Sequence, residues 1–163
     1  MRTEENYLDF VRSQFETYKL LAEKAFSQTA DEKFFVQLTE DSNSIAMIVQ
    51  HIAGNMLSRW TDFMTTDGEK EWRMRDDEFE PITKTKQQMF LQWEKGWQCL
   101  FDALEGVSPS QLQETIYIRQ EAHTVLEAIN RQLAHYPYHI GQIIYLAKMF
   151  NSNWESLSIP KRK

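Results

Sequence analysis

The run from Val125 to Ala147 most constrains what this chain can fold into. Val125-Leu126-Glu127-Ala128-Ile129 leads on to Ile143-Ile144-Tyr145-Leu146-Ala147 with no glycine before Gly141. Apolar residues recurring at three and four over that length predict a long, well-buried helix. Inside it stands His135-Tyr136-Pro137-Tyr138-His139. Histidines four apart on a helix share one face, one turn above the other, so their imidazoles can converge. Neutral imidazole is the commonest side-chain ligand of divalent transition metals. Two readings of the pair stay open on these residues: each ring bonds a nearby carbonyl or side chain, or both rings bind a metal ion. Pro137 lies between them, lacks an N–H and clashes with the carbonyl of Leu133, at roughly 3 kcal/mol in an exposed helix. Local rules broken in this way gather at functional sites. Gly141 would admit the close approach of another backbone, side chain or ligand.

Three earlier stretches carry the same period. From about Glu4 to Gln28, Tyr7, Leu8, Val11, Phe15, Tyr18, Ala22, Ala25 and Phe26 form one stripe. Phe34 and Phe35 then plug one end of the core. Asn43 or Ser42 caps a second helix running to about Thr65, with Ile45, Ile48, Val49, Ile52, Met56, Trp60, Phe63 and Met64 inward. His51 borders that apolar stripe. Thr83 or Thr85 opens a third helix to about Leu104, with Met89, Phe90, Trp93, Trp97, Leu100 and Phe101 on its buried side, and Gly106 reads as its C′ residue. The fourth helix begins near His123-Thr124 and ends at Phe150-Asn151, with Asn151 an acceptable left-handed terminator. His123 pairs with Glu127 at the surface and stays outside the candidate site.

Between the second and third helices, residues 66–82 make a connection long enough to run the length of a helix. Its Asp76-Asp77-Glu78 cluster reads as a solvated face. Ser108-Pro109 starts a brief helical turn, and Ile116-Tyr117-Ile118 is β-prone but too short and isolated to found a sheet. Trp154, Leu157 and Ile159 fold the tail back on the bundle, while the basic end Pro160-Lys161-Arg162-Lys163 frays. These elements predict an all-α fold: one domain over 1–163, a four-helix bundle with a long crossover between helices 2 and 3.

Composition bounds the function. A net charge of −6, from 18 basic and 24 acidic residues, argues against a nucleic-acid partner. The single cysteine, Cys99, excludes an internal disulfide and any multi-cysteine metal site, and its aromatic neighbours mark it as an inert core thiol. No apolar run approaches the ~20 residues needed to span a bilayer, so no membrane partner is expected. Met1-Arg2-Thr3-Glu4-Glu5-Asn6 has no signal-peptide core, and a cytoplasmic location is expected.

In a bundle, metal ligands come from facing helices, so distance in sequence does not separate His51 from His135 and His139. The di-iron pattern needs Glu three residues before His; Ile48, Gln132 and Tyr136 stand there instead. Tyr136 also takes the place of the zincin glutamate. Three neutral nitrogens with open positions remain, the ligand set of a catalytic centre, and zinc, nickel, iron or manganese would suit it.

His51 with Ala53-Gly54-Asn55, together with His135-Tyr136-Pro137-Tyr138-His139-Ile140-Gly141-Gln142-Ile143, resembles the DinB-like superfamily over nearly the whole chain. Ser58-Arg59-Trp60-Thr61-Asp62-Phe63-Met64-Thr65-Thr66-Asp67-Gly68-Glu69-Lys70 looks like one uncharacterised subfamily of it. The resemblance implies a four-helix bundle, often dimeric. It implies a divalent metal on His51, His135 and His139, held by one histidine of helix two and a pair on helix four. Characterised relatives include bacillithiol S-transferases and mycothiol-dependent maleylpyruvate isomerase. By that resemblance the metal would activate a low-molecular-weight, bacillithiol-like thiol cosubstrate for attack on an electrophile. The alternative is a non-catalytic, metal-binding stress-response dimer, and a third reading has the histidines merely filling polar vacancies. Asn55, Arg59, Tyr138 and Gln142 are candidate substrate-binding residues, Asn55, Arg59 and Gln142 lying one turn from the ligands. Arg59 would receive a carboxylate of the thiol, or else pair with Asp62 or Glu69.

Overall fold

The computed structural model describes residues 3–158. Four helices carry the fold: α1 (Thr3–Phe26), α2 (Ile45–Trp60), α3 (Lys86–Glu105) and α4 (Val125–Met149). Helix α1 packs mainly against α4 and α2 against α3, with α2 and α4 also in contact. The all-α bundle and its crossover are as expected.

Aromatic side chains fill the centre. Trp93, Trp97, Phe15, Phe26 and Tyr136 are fully buried. Trp97 meets Phe15, Trp93 and Tyr136 at ring-centroid distances of 6.4, 5.4 and 5.9 Å. Such tilted and edge-on pairs add to area burial by roughly 0.5–1.5 kcal/mol each. Tyr136 receives a hydrogen bond from Trp60 Nε1 (3.1 Å) and donates its hydroxyl to Asn55 Oδ1 (3.2 Å), so its buried hydroxyl is satisfied, whereas the Trp97 indole N–H has no hydrogen-bond partner among the described residues. Helices α2 and α3 approach closely at Gly96, where a Cβ would lie 2.9 Å from Ala53 Cα.

Helix α2 is buried almost all round; only Gly54 and Leu57 escape. The crossover covers the face that the bundle leaves open. Gln50 anchors it, donating to the carbonyls of Asp77 (2.7 Å) and Glu80 (3.1 Å) while accepting from Thr83 Oγ1 (2.7 Å). Lower down, Ser58 donates to the carbonyl of Gly68 at 2.9 Å and accepts from Lys70 N at 3.1 Å. A 3₁₀ turn at Asp76–Phe79 lies between these anchors.

Several expectations need correction. Ile116-Tyr117-Ile118 does found a sheet: β1 (Thr115–Ile118) pairs antiparallel with β2 (Glu121–Thr124), with Ile116 opposite His123. Its two-residue turn uses Arg119 and Gln120 at φ of 54° and 65°, positions that normally select Asn-Gly. Asp67 stabilises this turn by accepting from the N–H groups of Arg119 (2.8 Å) and Gln120 (2.7 Å). Helix α2 stops at Trp60 rather than Thr65, as Asp62 turns left-handed at φ 48°; Phe63 stays buried although it is not helical. Its N-cap is Ser44, accepting from Met47 N at 3.2 Å, rather than Asn43 or Ser42. Thr85 caps α3. Gly106 ends α3 with right-handed φ, and Asn151 is not left-handed either. Gly141 faces open space, with nothing within 4 Å of a built Cβ. Glu127 closes a capping box with Thr124 rather than pairing with His123. Trp154 and Leu157 do pack on the core; Ile159 and the basic end lie outside the described residues.

Candidate metal centre

Helix α4 runs unbroken through Pro137 and presents His135 and His139 on one face. Their Nε2 atoms approach to 3.0 Å. His51 faces them from α2, its ring centroid 5.6 Å from that of His135 and 4.8 Å from that of His139. One ligand nitrogen from each of the three lies within 4.8 Å of the others. His51 and His139 are buried and His135 is half-buried.

The other nitrogen of every ring is engaged. His51 Nδ1 donates to Glu78 Oε2 at 2.9 Å. His135 Nδ1 meets Gln132 Oε1 at 3.2 Å, and His139 Nδ1 meets Gln142 Oε1 at 2.9 Å. An amide or carboxylate oxygen only accepts, so each Nδ1 carries the proton. Each Nε2 is then a bare lone pair, and those of His135 and His139 face each other. Two lone pairs facing each other at 3.0 Å repel unless a cation lies between them. Sharing a proton there would make one ring cationic or break its Nδ1 bond. Burial, helped by His139 and His51, pushes His135 down to about 3, which disfavours the cation. Burial also lowers His139, against the opposing bond to Gln142. Two nitrogens on one ion at roughly 2.0–2.1 Å stand about 3 Å apart, so the residues fit a divalent metal.

Glu78 belongs to the Asp76-Asp77-Glu78 run that reads as solvated, and there the structure corrects the sequence. Asp76 and Asp77 are exposed, but Glu78 is buried against α2. Arg73 grips it with two bonds, Nε to Oε1 at 2.7 Å and Nη2 to Oε2 at 2.8 Å. Burial raises the Glu78 carboxyl, but the bonds to His51 and Arg73 outweigh it and hold the group below its usual range. Carboxylate, imidazole and open Nε2 in series form the support that orients metal-bound histidines and raises their basicity. Gly54 makes the room: a Cβ there would stand 2.2 Å from Glu78 Oε1. Phe79, beside Glu78, lays its ring 4.8 Å from that of His51.

A cavity of about 360 Å³ opens on the three rings. Asn55, Tyr138 and Gln142 line it, as the sequence suggests, with Tyr138 61% exposed at its rim. Arg59 does not; it is buried, and its guanidinium bonds the Gly68 carbonyl and Glu69. Glu78, Arg73 and Gln132 escape a reading of the sequence. Gln132 had a signal, standing one turn before His135 as Gln142 stands one turn after His139. Cys99 is half-buried beside Thr61 and its thiol is pushed up by burial, as an inert thiol should be.

Fold and site together define a class: an α-helical bundle with an open cluster of three histidines, backed by a buried carboxylate. The chain belongs to the family described as "Protein of unknown function (DUF1572)", whose profile matches residues 2–163. No curated protein matches it. Among the described residues no helix is long and apolar enough to cross a membrane.

Proposed function

We propose that this protein is a DinB-like divalent-metal-binding bundle that activates a low-molecular-weight thiol for transfer to an electrophile. The observation that carries the reading is the convergence of three imidazoles, one nitrogen of each within 4.8 Å of the others, whose Nδ1 atoms all meet oxygen acceptors. Such an arrangement is prepared for a cation and leaves coordination positions open toward the cavity. His51, His135 and His139 would hold zinc, nickel, iron or manganese. When bound, the ion would supply Lewis acidity that lowers the pKa of a thiol, so that it reacts as thiolate.

The chain's own residues do the rest. Arg73 keeps Glu78 ionised, Glu78 fixes the His51 tautomer, and Gln132 and Gln142 fix the other two rings. Tyr138 and Asn55 line the space a thiol and an electrophile would occupy. In the transfer, thiolate sulfur forms a bond to an electrophilic carbon and the leaving group departs with its electron pair. The thiol proton goes to solvent. A homodimer, which the DinB-like resemblance implies, and a cytoplasmic location are part of this reading.

Metal analysis of protein purified without a nickel column, followed by turnover of monochlorobimane with bacillithiol or a similar thiol, tests it. Bound metal with metal-dependent loss of chloride supports the transferase. Bound metal without turnover leaves the non-catalytic metal-binding bundle. Absence of any transition metal from wild type would reduce the histidines to polar fillers.

A further inference from the structure

Among the described residues, four arginines and no carboxylate line the histidine cavity: Arg73, Arg75, Arg119 and Arg131. In a chain with 24 acidic and 18 basic residues, that is a local reversal of the overall charge. Arg73 is committed to Glu78 and is buried. The other three are exposed and stand at the mouth.

They arrive from three different elements. Arg131 lies one turn before His135 on the same face of α4 and forms no ion pair among the described residues. Arg75 comes from the crossover. Its guanidinium lies 5.3 Å from the centre of the Phe79 ring, which in turn rests against His51. Its only ion pair among the described residues is a 3.8 Å contact with the exposed Asp76. Arg119 sits in the hairpin turn that Asp67 holds in place, and its Nε bonds Glu69 at 3.0 Å, a carboxylate that also serves Arg59 and Arg73. Cations on low-dielectric walls around a concave space focus their field into it. Guanidinium forks match carboxylate and phosphate oxygens in pairs.

We propose that this cavity takes a small molecule bearing an oxyanion, a carboxylate or a phosphate, which Arg75, Arg119 and Arg131 seat beside the three histidines. About 360 Å³ suits a small metabolite, not a polymer. The inference rests on the cavity being a ligand site, and it specifies one end of the cosubstrate or substrate by its charge. It does not require the ion to be present.

The test is calorimetric titration of the full chain, stripped of metal with a chelator and held at low ionic strength. Inorganic phosphate and malate are titrated separately, so that a phosphate-bearing ligand is distinguished from a dicarboxylate. At least one should bind in the millimolar range or tighter. The double variant Arg75→Gln/Arg131→Gln alters only exposed side chains, and it should weaken that binding about tenfold or more. Lys148→Gln, about 20 Å along α4 from His135, should leave it unchanged. No binding of either anion, or equal affinities in wild type and double variant, overturns the proposal. So does equal weakening by Lys148→Gln, which would show attraction to net charge alone. Metal analysis reports on the other reading separately: a bound ion without anion binding overturns this inference alone, and the reverse outcome overturns the metal centre alone.

Discussion

Glu78 crosses helix α2 directly over Gly54 to accept the Nδ1 proton of His51 at 2.9 Å. The histidine and its carboxylate come from different segments, and a missing side chain between them makes the contact possible. Gly54→Ala would place a methyl 2.2 Å from Glu78 Oε1, so the carboxylate must move. The fold should survive, because Glu78 is a flexible side chain and alanine favours the helix. Loss of a hydrogen-bonded support typically lowers metal affinity about 10–100-fold. Competition with a chelator should show that loss at unchanged helical content; equal affinity would mean that Glu78 does not orient His51.

Removing the carboxylate altogether acts on stability as well. Glu78→Ala leaves the Arg73 guanidinium buried, its side chain only 2% exposed, with Glu69 at 3.4 Å as the remaining partner. Breaking one side of a buried pair costs about 3–5 kcal/mol. In a chain of this size that corresponds to a melting temperature lower by about 10 °C or more. A scanning-calorimetry shift below about 2 °C would contradict the burial assigned to this pair.

The three clustered histidines and the helices that bear them were legible in the sequence because both depend on local spacing. His135 and His139 share a face by helix geometry alone, and the apolar stripe of α2 places His51 near a partner helix. Glu78 was not legible. A run of three acidic residues is ordinarily solvated, and only the crossover's course over α2 turns its third member inward. The hairpin was hidden for a similar reason. Arg119-Gln120 carries no local turn signal, and the compensation lies far back in the chain, in Asp67. Local patterns predict local structure; carboxylates that act across the fold have no local pattern to betray them.

That compensation makes stability depend on acid. Slight burial would raise the Asp67 carboxyl, but the N–H groups of Glu69, Gln120 and Arg119 hold it below its usual range. A depressed carboxyl contributes its full stabilisation above the unfolded value of about 3.9 and loses it as pH falls through the folded value. Wild type should therefore lose more stability on acidification below about pH 4 than Asp67→Asn, which has no such charge to neutralise. At neutral pH Asp67→Asn should be the less stable, by about 1 kcal/mol or more for weakened charge-assisted bonds. Parallel melting curves from neutral to acid pH would remove the turn-anchoring role.

Two glycines should respond oppositely to the same change. Gly96→Ala would put a methyl 2.9 Å from Ala53 Cα, a backbone atom that cannot swing aside, so α2 and α3 must separate. The expected destabilisation is about 1–3 kcal/mol, as for an overpacked core. Gly141→Ala meets nothing within 4 Å and lies inside α4, so it should stabilise by about 0.4–1 kcal/mol. Chemical denaturation of both variants checks the pair. Destabilisation by Gly141→Ala would mean that something covers this part of α4.

The metal centre makes the most direct demand. Wild type should carry about one equivalent of a divalent ion per chain, since three imidazoles converge on a single region. His51→Ala removes the candidate ligand that α2 supplies and should lower the bound ion well below that of wild type. His135→Ala should weaken affinity too, yet leave the helical circular-dichroism spectrum intact, because its half-buried ring contributes little to the core while Tyr136 beside it is fully buried. A collapsed spectrum for His135→Ala would make the histidines structural. An ion content unmoved by either substitution would place the metal elsewhere in the chain.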